Sequence, residues 1–186
     1  MLWGAPLDGL ELRRAGDGSA TLFGRFPYGV EAVLGRVGGR EHRERFEAGA
    51  LEPSGDGVFL LSQHEFARPL ASTRAGTLEV RQGDGALEFE ARIAPSVAAT
   101  SYGRDALALV EAGLAVGLSP GFRVPEGGDS VRADGAALVR TVRRAELVEL
   151  SVVTRPAFDA ASVQARSWAV SAPARAERPA RLRWRA

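Results

Sequence analysis

The chain has 186 residues, of which 45% are hydrophobic and 25% are charged, a composition typical of a single globular domain with a substantial core. The formal net charge of +1 gives no general attraction to nucleic acid or to an anionic membrane. The absence of cysteine excludes disulfides, thiolate nucleophiles and cysteine-based zinc sites, and the two histidines, His42 and His64, lack metal-ligand spacing. We therefore expect no metal and no cofactor. The sequence has no apolar run of about 20 residues and no signal-peptide pattern at its start, which predicts a cytosolic protein without membrane contact.

The first half of the sequence predicts short strands separated by glycine turns. The predicted strands are residues 19–26, 30–36, 58–63, 77–81 and 86–93. The last two flank Gln82-Gly83-Asp84-Gly85, which is a hairpin signal. The strand 58–63 ends at His64, before a turn predicted at Arg68-Pro69. Strict alternation of apolar and charged residues over 86–93 predicts a half-buried antiparallel strand.

The second half begins with a different periodicity. From about Ser96 to Ala112 the sequence has helical periodicity, with Leu107, Val110 and Leu114 at helical spacing and Gly113 as the C-terminal stop. One central helix is therefore predicted, followed by extended structure over residues 115–124. The β-rich segment 138–154 has a predicted break at Arg143-Arg144-Ala145.

These elements predict a mainly β, α+β protein: an antiparallel β-barrel or sandwich with a central helix. Residues 1–158 are expected to form this domain. Residues 159–186 are expected to form a short helix and a flexible tail rich in alanine, proline and arginine, in which five arginines accompany only Glu177.

Three residues are candidates for acyl-transfer chemistry, and each also has a purely structural interpretation. Ser119 lies between Gly117 and Gly121, which permit close backbone approach to a substrate, but glycine and serine also occur at strand bends. His64 at a strand end suits a general base, as it suits a hydrogen-bonded surface histidine. Alternation puts Glu149 on the same strand face as Leu147, Ser151 and Val153, so it is expected to need a partner, either an imidazole N–H or an arginine. The segment around Ser119 lacks the β-α alternation of the α/β-hydrolases.

Taken in order, the segments resemble the caudovirus prohead maturation proteases, the HK97-type family of serine proteases. The resemblance runs from about Leu22 to Phe158, and the segment Glu149-Leu150-Ser151-Val152-Val153-Thr154-Arg155-Pro156-Ala157 carries its most specific motif. Four further segments match the family: Phe23-Gly24-Arg25-Phe26; Glu44-Arg45-Phe46-Glu47-Ala48-Gly49-Ala50-Leu51, with Leu51 in place of the usual aromatic residue; Leu60-Leu61-Ser62-Gln63-His64-Glu65; and residues 113–122 around Ser119.

The resemblance implies a fold similar to the herpesvirus assembly proteases, a β-barrel with a few packed helices. It implies a serine endopeptidase in which His64 is the base and Ser119 the nucleophile. The third catalytic group is expected to be Glu149, with Glu146 as the second candidate and His42 as the third. Oxyanion donors are expected from backbone N–H groups near Gly121 or from Arg144.

The family also implies the biological setting. The expected substrates are a scaffold protein, the N-terminal segment of the major capsid protein, and the protease itself, inside the prohead of a tailed phage, a prophage or a gene transfer agent. The place of action would then be the host bacterial cytoplasm, and self-association is expected. The alternatives are a catalytically inactive structural or scaffold protein on the same fold, and a β-barrel that binds a small molecule.

Overall fold

The computed structural model describes residues 10–154, which form thirteen strands and two short helices. The strands are β1 (Glu11–Arg14), β2 (Ala20–Pro27), β3 (Ala32–Val37), β4 (Arg40–Phe46), β5 (Leu51–Pro53), β6 (Phe59–Ser62), β7 (Glu65–Ser72), β8 (Leu78–Gly83), β9 (Ala86–Ile93), β10 (Gly117–Arg123), β11 (Asp129–Asp134), β12 (Ala137–Val142) and β13 (Ala145–Val153). The helices are α1 (Pro95–Ala98) and α2 (Ser101–Glu111). This content confirms the predicted mainly β, α+β class, although the strands form three open sheets and not a closed barrel.

The first sheet contains the predicted hairpin. Its strand order is β1-β2-β9-β8, and all neighbouring strands are antiparallel. Gly83 pairs with Ala86, so the turn consists of Asp84 and Gly85, and Gly85 has a φ of 75°. Apolar side chains of β9 are buried in the core while the acidic residues between them are partly exposed, as the alternation predicted.

The predicted central helix is divided in two. Residue Thr100 has an extended backbone and its hydroxyl accepts a hydrogen bond from the Gly103 amide at 3.0 Å, so it caps the start of α2 and separates it from α1. Gly113 has a φ of 65° and ends the helical segment as predicted. Leu107 is buried, whereas Leu114 lies beyond the helix and is 59% exposed, so the helical spacing seen in the sequence does not extend to it in the structure.

The second sheet contains the segments around His64, Ser119 and Glu149. Its order is β10-β13-β6-β7, with β5 also paired to β13. Strand β13 is antiparallel to β10 but parallel to β6 and β5, so this sheet is mixed. Parallel neighbours require long connections, and the chain between β6 and β13 supplies one by passing through the other two sheets.

The third sheet has the order β11-β12-β4-β3 and carries His42 on β4. The break predicted within the β-rich segment is confirmed, because β12 ends at Val142 and β13 begins at Ala145. The predicted helix and tail at 159–186 lie outside the described residues. Between residues 10 and 154, no helix is long and apolar enough to cross a membrane.

Candidate active site

Ser119 lies on β10, the edge strand of the second sheet. Leu118 is in the hydrophobic core, so alternation places Ser119 and Gly121 on the opposite face of the strand. Pro120 between them has no N–H to give to a neighbouring strand, which is why proline in a sheet is largely confined to edges. The edge position of β10 therefore accommodates the Ser119-Pro120-Gly121 sequence within regular extended structure.

A β-bulge in β13 determines the face on which the Glu149 carboxylate lies. Leu147 and Glu149 pair with consecutive residues of β10, so Val148 has no counterpart on that strand. Leu147 and Leu150 both belong to the core although they are three positions apart, which strict alternation would forbid. The prediction that Leu147 and Glu149 share a face was therefore wrong. The bulge turns the glutamate away from the core, toward the face that carries Ser119.

His64 is held in a two-residue turn between β6 and β7. Ser62 pairs with Glu65, and the turn residues Gln63 and His64 have φ angles of 56° and 62°. This is the conformation of a type I′ hairpin turn, which favours asparagine and glycine. Each left-handed residue other than glycine costs roughly 1–2 kcal/mol.

The predicted turn at Arg68-Pro69 was wrong, because both residues lie inside β7.

Contacts with β13 offset this backbone strain. The amide of Gln63 donates to the carbonyl oxygen of Val152 at 3.1 Å. The amide of His64 donates to Oγ of Ser151 at 2.9 Å. These two hydrogen bonds hold the turn against β13. They place the His64 imidazole on the sheet face where the Glu149 carboxylate lies.

His64, Glu149 and Ser151 form one hydrogen-bond network. Nδ1 of His64 lies 2.7 Å from Oε1 of Glu149, and Oγ of Ser151 donates to Oε2 at 2.6 Å. An ionised carboxylate can only accept, so in this contact Nδ1 carries a proton, and in the neutral imidazole Nε2 is then the acceptor. The His64 side chain is 40% exposed, whereas that of Glu149 is 5% exposed. The arrangement can therefore orient an accessible imidazole as a proton acceptor.

Ser119 lies beside this network. Its Cα is the direct partner of the Cα of Ser151 across the β10–β13 pair, and Gly121 is likewise the partner of Glu149. Side chains of directly opposed residues lie on the same face with their Cβ atoms about 4.5–5.5 Å apart. The structure thus brings Ser119, His64 and Glu149 to one region of one sheet face.

The other candidates for the third group lie elsewhere. Oε1 of Glu146 accepts a hydrogen bond from Ser54 at 2.5 Å, on the far side of the bulge from Glu149. His42 is buried in the third sheet, and burial lowers the pKa of its imidazole below the ordinary value. Arg144, the side chain expected as a possible oxyanion donor, precedes Ser151 by seven residues, about 20 Å along an extended strand, which is too far for its guanidinium to reach the Ser119 hydroxyl.

Sequence reasoning did not single out Ser151 as a functional residue. Its signal was present, because alternation placed it on the face of Glu149 and within the most specific family segment. What the sequence could not indicate is that its hydroxyl reaches both Glu149 and the His64 backbone.

Within residues 10–154, no group of three or more His, Asp or Glu side chains is arranged to hold a metal ion.

Comparison with known families identifies the chain. The family model described as caudovirus prohead serine protease matches residues 28–174, more than half of the sequence. The matched range begins after β2 and includes every element of the second and third sheets. No curated protein and no solved structure matches the chain. By this match, the chain belongs to the caudovirus prohead serine protease family.

Proposed function

We propose that this protein is an active serine endopeptidase that uses Ser119 as nucleophile, His64 as general base and Glu149 as the orienting acid. Family membership indicates a serine peptidase with a role in capsid maturation. The assignment of residues is supported by one observation above all: the 2.7 Å contact between Nδ1 of His64 and Oε1 of Glu149, with Ser119 on the same sheet face.

In the proposed reaction, Nε2 of His64 takes the hydroxyl proton as Ser119 Oγ attacks the peptide carbonyl carbon. Glu149 accepts the Nδ1–H bond throughout, which keeps the required tautomer and stabilises the imidazolium. When the tetrahedral intermediate collapses, Nε2 returns the proton to the leaving amine and Ser119 holds the acyl group. Water, deprotonated by the same imidazole, then releases the acid product and restores the hydroxyl.

The proposed substrates follow from the family. They are the scaffold or the N-terminal segment of the major capsid protein, together with the protease itself, inside the prohead of a tailed phage, a prophage or a gene transfer agent. The site of action is then the assembling shell in the bacterial host cytoplasm, with self-association of the protease. Confinement in a shell would supply a high local concentration of substrate.

Co-expression with the cognate major capsid protein tests the proposal. Intact-mass measurement of the capsid protein should reveal a trimmed product with the wild-type chain and only full-length protein with Ser119→Ala. Equal trimming by both chains would overturn the assignment of the nucleophile. A fluorophosphonate, which phosphonylates activated serines, should label the wild-type chain at Ser119 and should not label His64→Ala at that residue.

The second candidate function, an inactive structural protein on the same fold, makes the opposite forecast. It requires that neither trimming nor fluorophosphonate labelling occurs with the wild-type chain. The network at His64 disfavours it, because a strained turn and a buried carboxylate aimed at an imidazole are costly features for a protein without catalytic use of them.

A further inference from the structure

We propose that Ser151 is a positioning residue that fixes both His64 and Glu149 in the geometry required for catalysis. This inference deepens the proposed function and rests on it. Ser151 is 0% exposed and lies near the C-terminal end of β13, paired with Ser119 on one side and with Leu61 on the other. Among the side-chain hydrogen bonds of residues 10–154, those of the Ser151 hydroxyl are the ones that reach both His64 and Glu149.

The Ser151 hydroxyl holds the carboxylate in one orientation. Its proton is donated to Oε2 of Glu149 at 2.6 Å, while Oε1 of the same carboxylate meets Nδ1 of His64 at 2.7 Å. A carboxylate bound at one oxygen alone can rotate about its terminal torsion, which is broad. Two partners on two oxygens determine that torsion, so the carboxylate plane points at the imidazole.

The same hydroxyl also holds the imidazole from its backbone end. Oγ of Ser151 accepts the amide N–H of His64 at 2.9 Å. His64 and Gln63 both have left-handed backbones, which persist only where surrounding contacts determine them. Ser151 therefore restrains His64 twice, directly at its amide and through Glu149 at its ring.

The hydrogen bonds of Ser151 exclude it as the nucleophile and are those expected of a positioning residue. Its single hydroxyl proton is donated to Glu149, and the residue is 0% exposed. Ser119 directly opposite presents a second hydroxyl on the same face. Because both serines are anchored in one ladder, Ser151 also sets the distance between the nucleophile strand and the imidazole.

Imidazole NMR in the full-length chain tests the proposal without requiring activity. The chain has only two histidines, so His64 can be observed with His42 as an internal reference. In a Ser119→Ala background, ¹⁵N shifts should show Nδ1 protonated. Adding Ser151→Ala should produce a mixture with the Nε2–H tautomer, because neither the carboxylate nor the turn is then held. An unchanged Nδ1–H form would overturn the proposal.

The matched control is Ser54→Ala in the same background. Ser54 is also buried and also donates to a glutamate of β13, Glu146. Removing its hydroxyl should leave the His64 tautomer as it is in the Ser119→Ala chain. Equal changes in the two variants would mean that loss of any buried serine hydroxyl on this sheet disturbs His64, and the specific role of Ser151 would be rejected.

Fluorophosphonate labelling of chains that retain Ser119 provides a second readout. Ser151→Ala should slow labelling by about 10- to 100-fold, the cost of a misplaced catalytic group, whereas Ser54→Ala should label at the wild-type rate. If the wild-type chain is not labelled at all, the proposed peptidase function fails. The tautomer comparison still decides the role of Ser151 in that case.

Ser151→Cys covers the outcome in which Ser151→Ala does not fold. The thiol is close in size and is a weak donor, so labelling should be slower than wild type and the tautomer mixed. Wild-type labelling and a pure Nδ1–H form in this variant would overturn the proposal.

Discussion

Gly121 leaves open the space that the Glu149 carboxylate occupies. A Cβ on Gly121 would lie 2.1 Å from Oε1 and 2.8 Å from Cδ of Glu149. That same oxygen binds Nδ1 of His64. The glycine after Ser119-Pro120 is therefore required by the close approach of the carboxylate to β10, and its role is to admit the acid rather than to provide a flexible backbone.

We predict that Gly121→Ala displaces the Glu149 carboxylate from His64. The rate of fluorophosphonate labelling should fall by about 10- to 100-fold, and the free energy of unfolding should decrease by about 1–3 kcal/mol because of overpacking. Labelling kinetics and urea denaturation measure the two effects. Gly55→Ala is the control, since a Cβ at Gly55 would meet no atom within 4 Å. Similar behaviour of the two variants would contradict the steric argument.

A second prediction concerns the strain in the turn that carries His64. Gln63 has a φ of 56°, a conformation that asparagine adopts more readily than glutamine and that β-branched residues resist. Gln63→Asn should raise the free energy of unfolding by about 0.5–1 kcal/mol, and Gln63→Val should lower it by about 1–3 kcal/mol. Urea midpoints in the Ser119→Ala background measure both. A turn without strain would give the two variants equal midpoints.

The strands were predictable where the repeat of apolar residues in the sequence matches the repeat of buried side chains in the structure. The alternation of Leu87, Phe89 and Ala91 with acidic residues indicated a half-buried strand, and that strand is present. The break before β13 was likewise visible in the charged pair at residues 143–144. Strand pairing was less accessible, because parallel pairing of β13 with β6 joins residues that are far apart in the sequence.

The candidate site residues came from the sequence, but their geometry could not be predicted from it. Family resemblance brought His64, Ser119 and Glu149 forward, and the structure places them on one face. Two local departures from regular structure were invisible: the bulge at Val148 and the left-handed turn at Gln63-His64. Neither has the glycine or asparagine that normally signals such a conformation. The turn is held instead by hydrogen bonds from the Gln63 and His64 amides to β13.

A third prediction follows from the pKa of His42. Burial lowers that pKa from its ordinary value of 6.5, and the residue shares a sheet face with the buried pair Glu44 and Arg140. The unfolded chain then binds a proton at His42 at a higher pH than the folded chain does. Stability should therefore fall as the pH decreases from 6.5 toward the depressed value. Urea midpoints at several pH values measure this decline.

His42→Asn removes the titrating group and should flatten that part of the pH dependence. The pH dependence of stability that remains in this variant comes from the carboxylates, which titrate at lower pH. An identical decline between pH 6.5 and the depressed value in both chains would show that His42 does not carry the effect.

The last prediction separates the two glutamates of β13 as candidates for the third catalytic group. Glu149→Gln keeps the shape of the side chain but removes the negative charge that stabilises an imidazolium, and its amide can turn an N–H toward Nδ1 and impose the wrong tautomer. Labelling of Ser119 should fall by about 100- to 10,000-fold, as expected when an orienting acid is neutralised.

Glu146→Gln is the matched variant, three positions earlier in the same strand. Its carboxylate is bound by Ser54 at 2.5 Å and lies 3.7 Å from Arg123, with no part in the His64 network. Labelling should stay close to the wild-type rate, and the only expected cost is a small loss of stability from the weakened Ser54 contact. The opposite ranking, with Glu146→Gln the slower chain, would transfer the orienting role to Glu146. Because both changes are isosteric and neutralise one carboxylate each, a difference in rate reports the position of the charge relative to the imidazole: Glu149 lies opposite Gly121 and contacts Nδ1 of His64, whereas Glu146 lies opposite Arg123 farther along the strand.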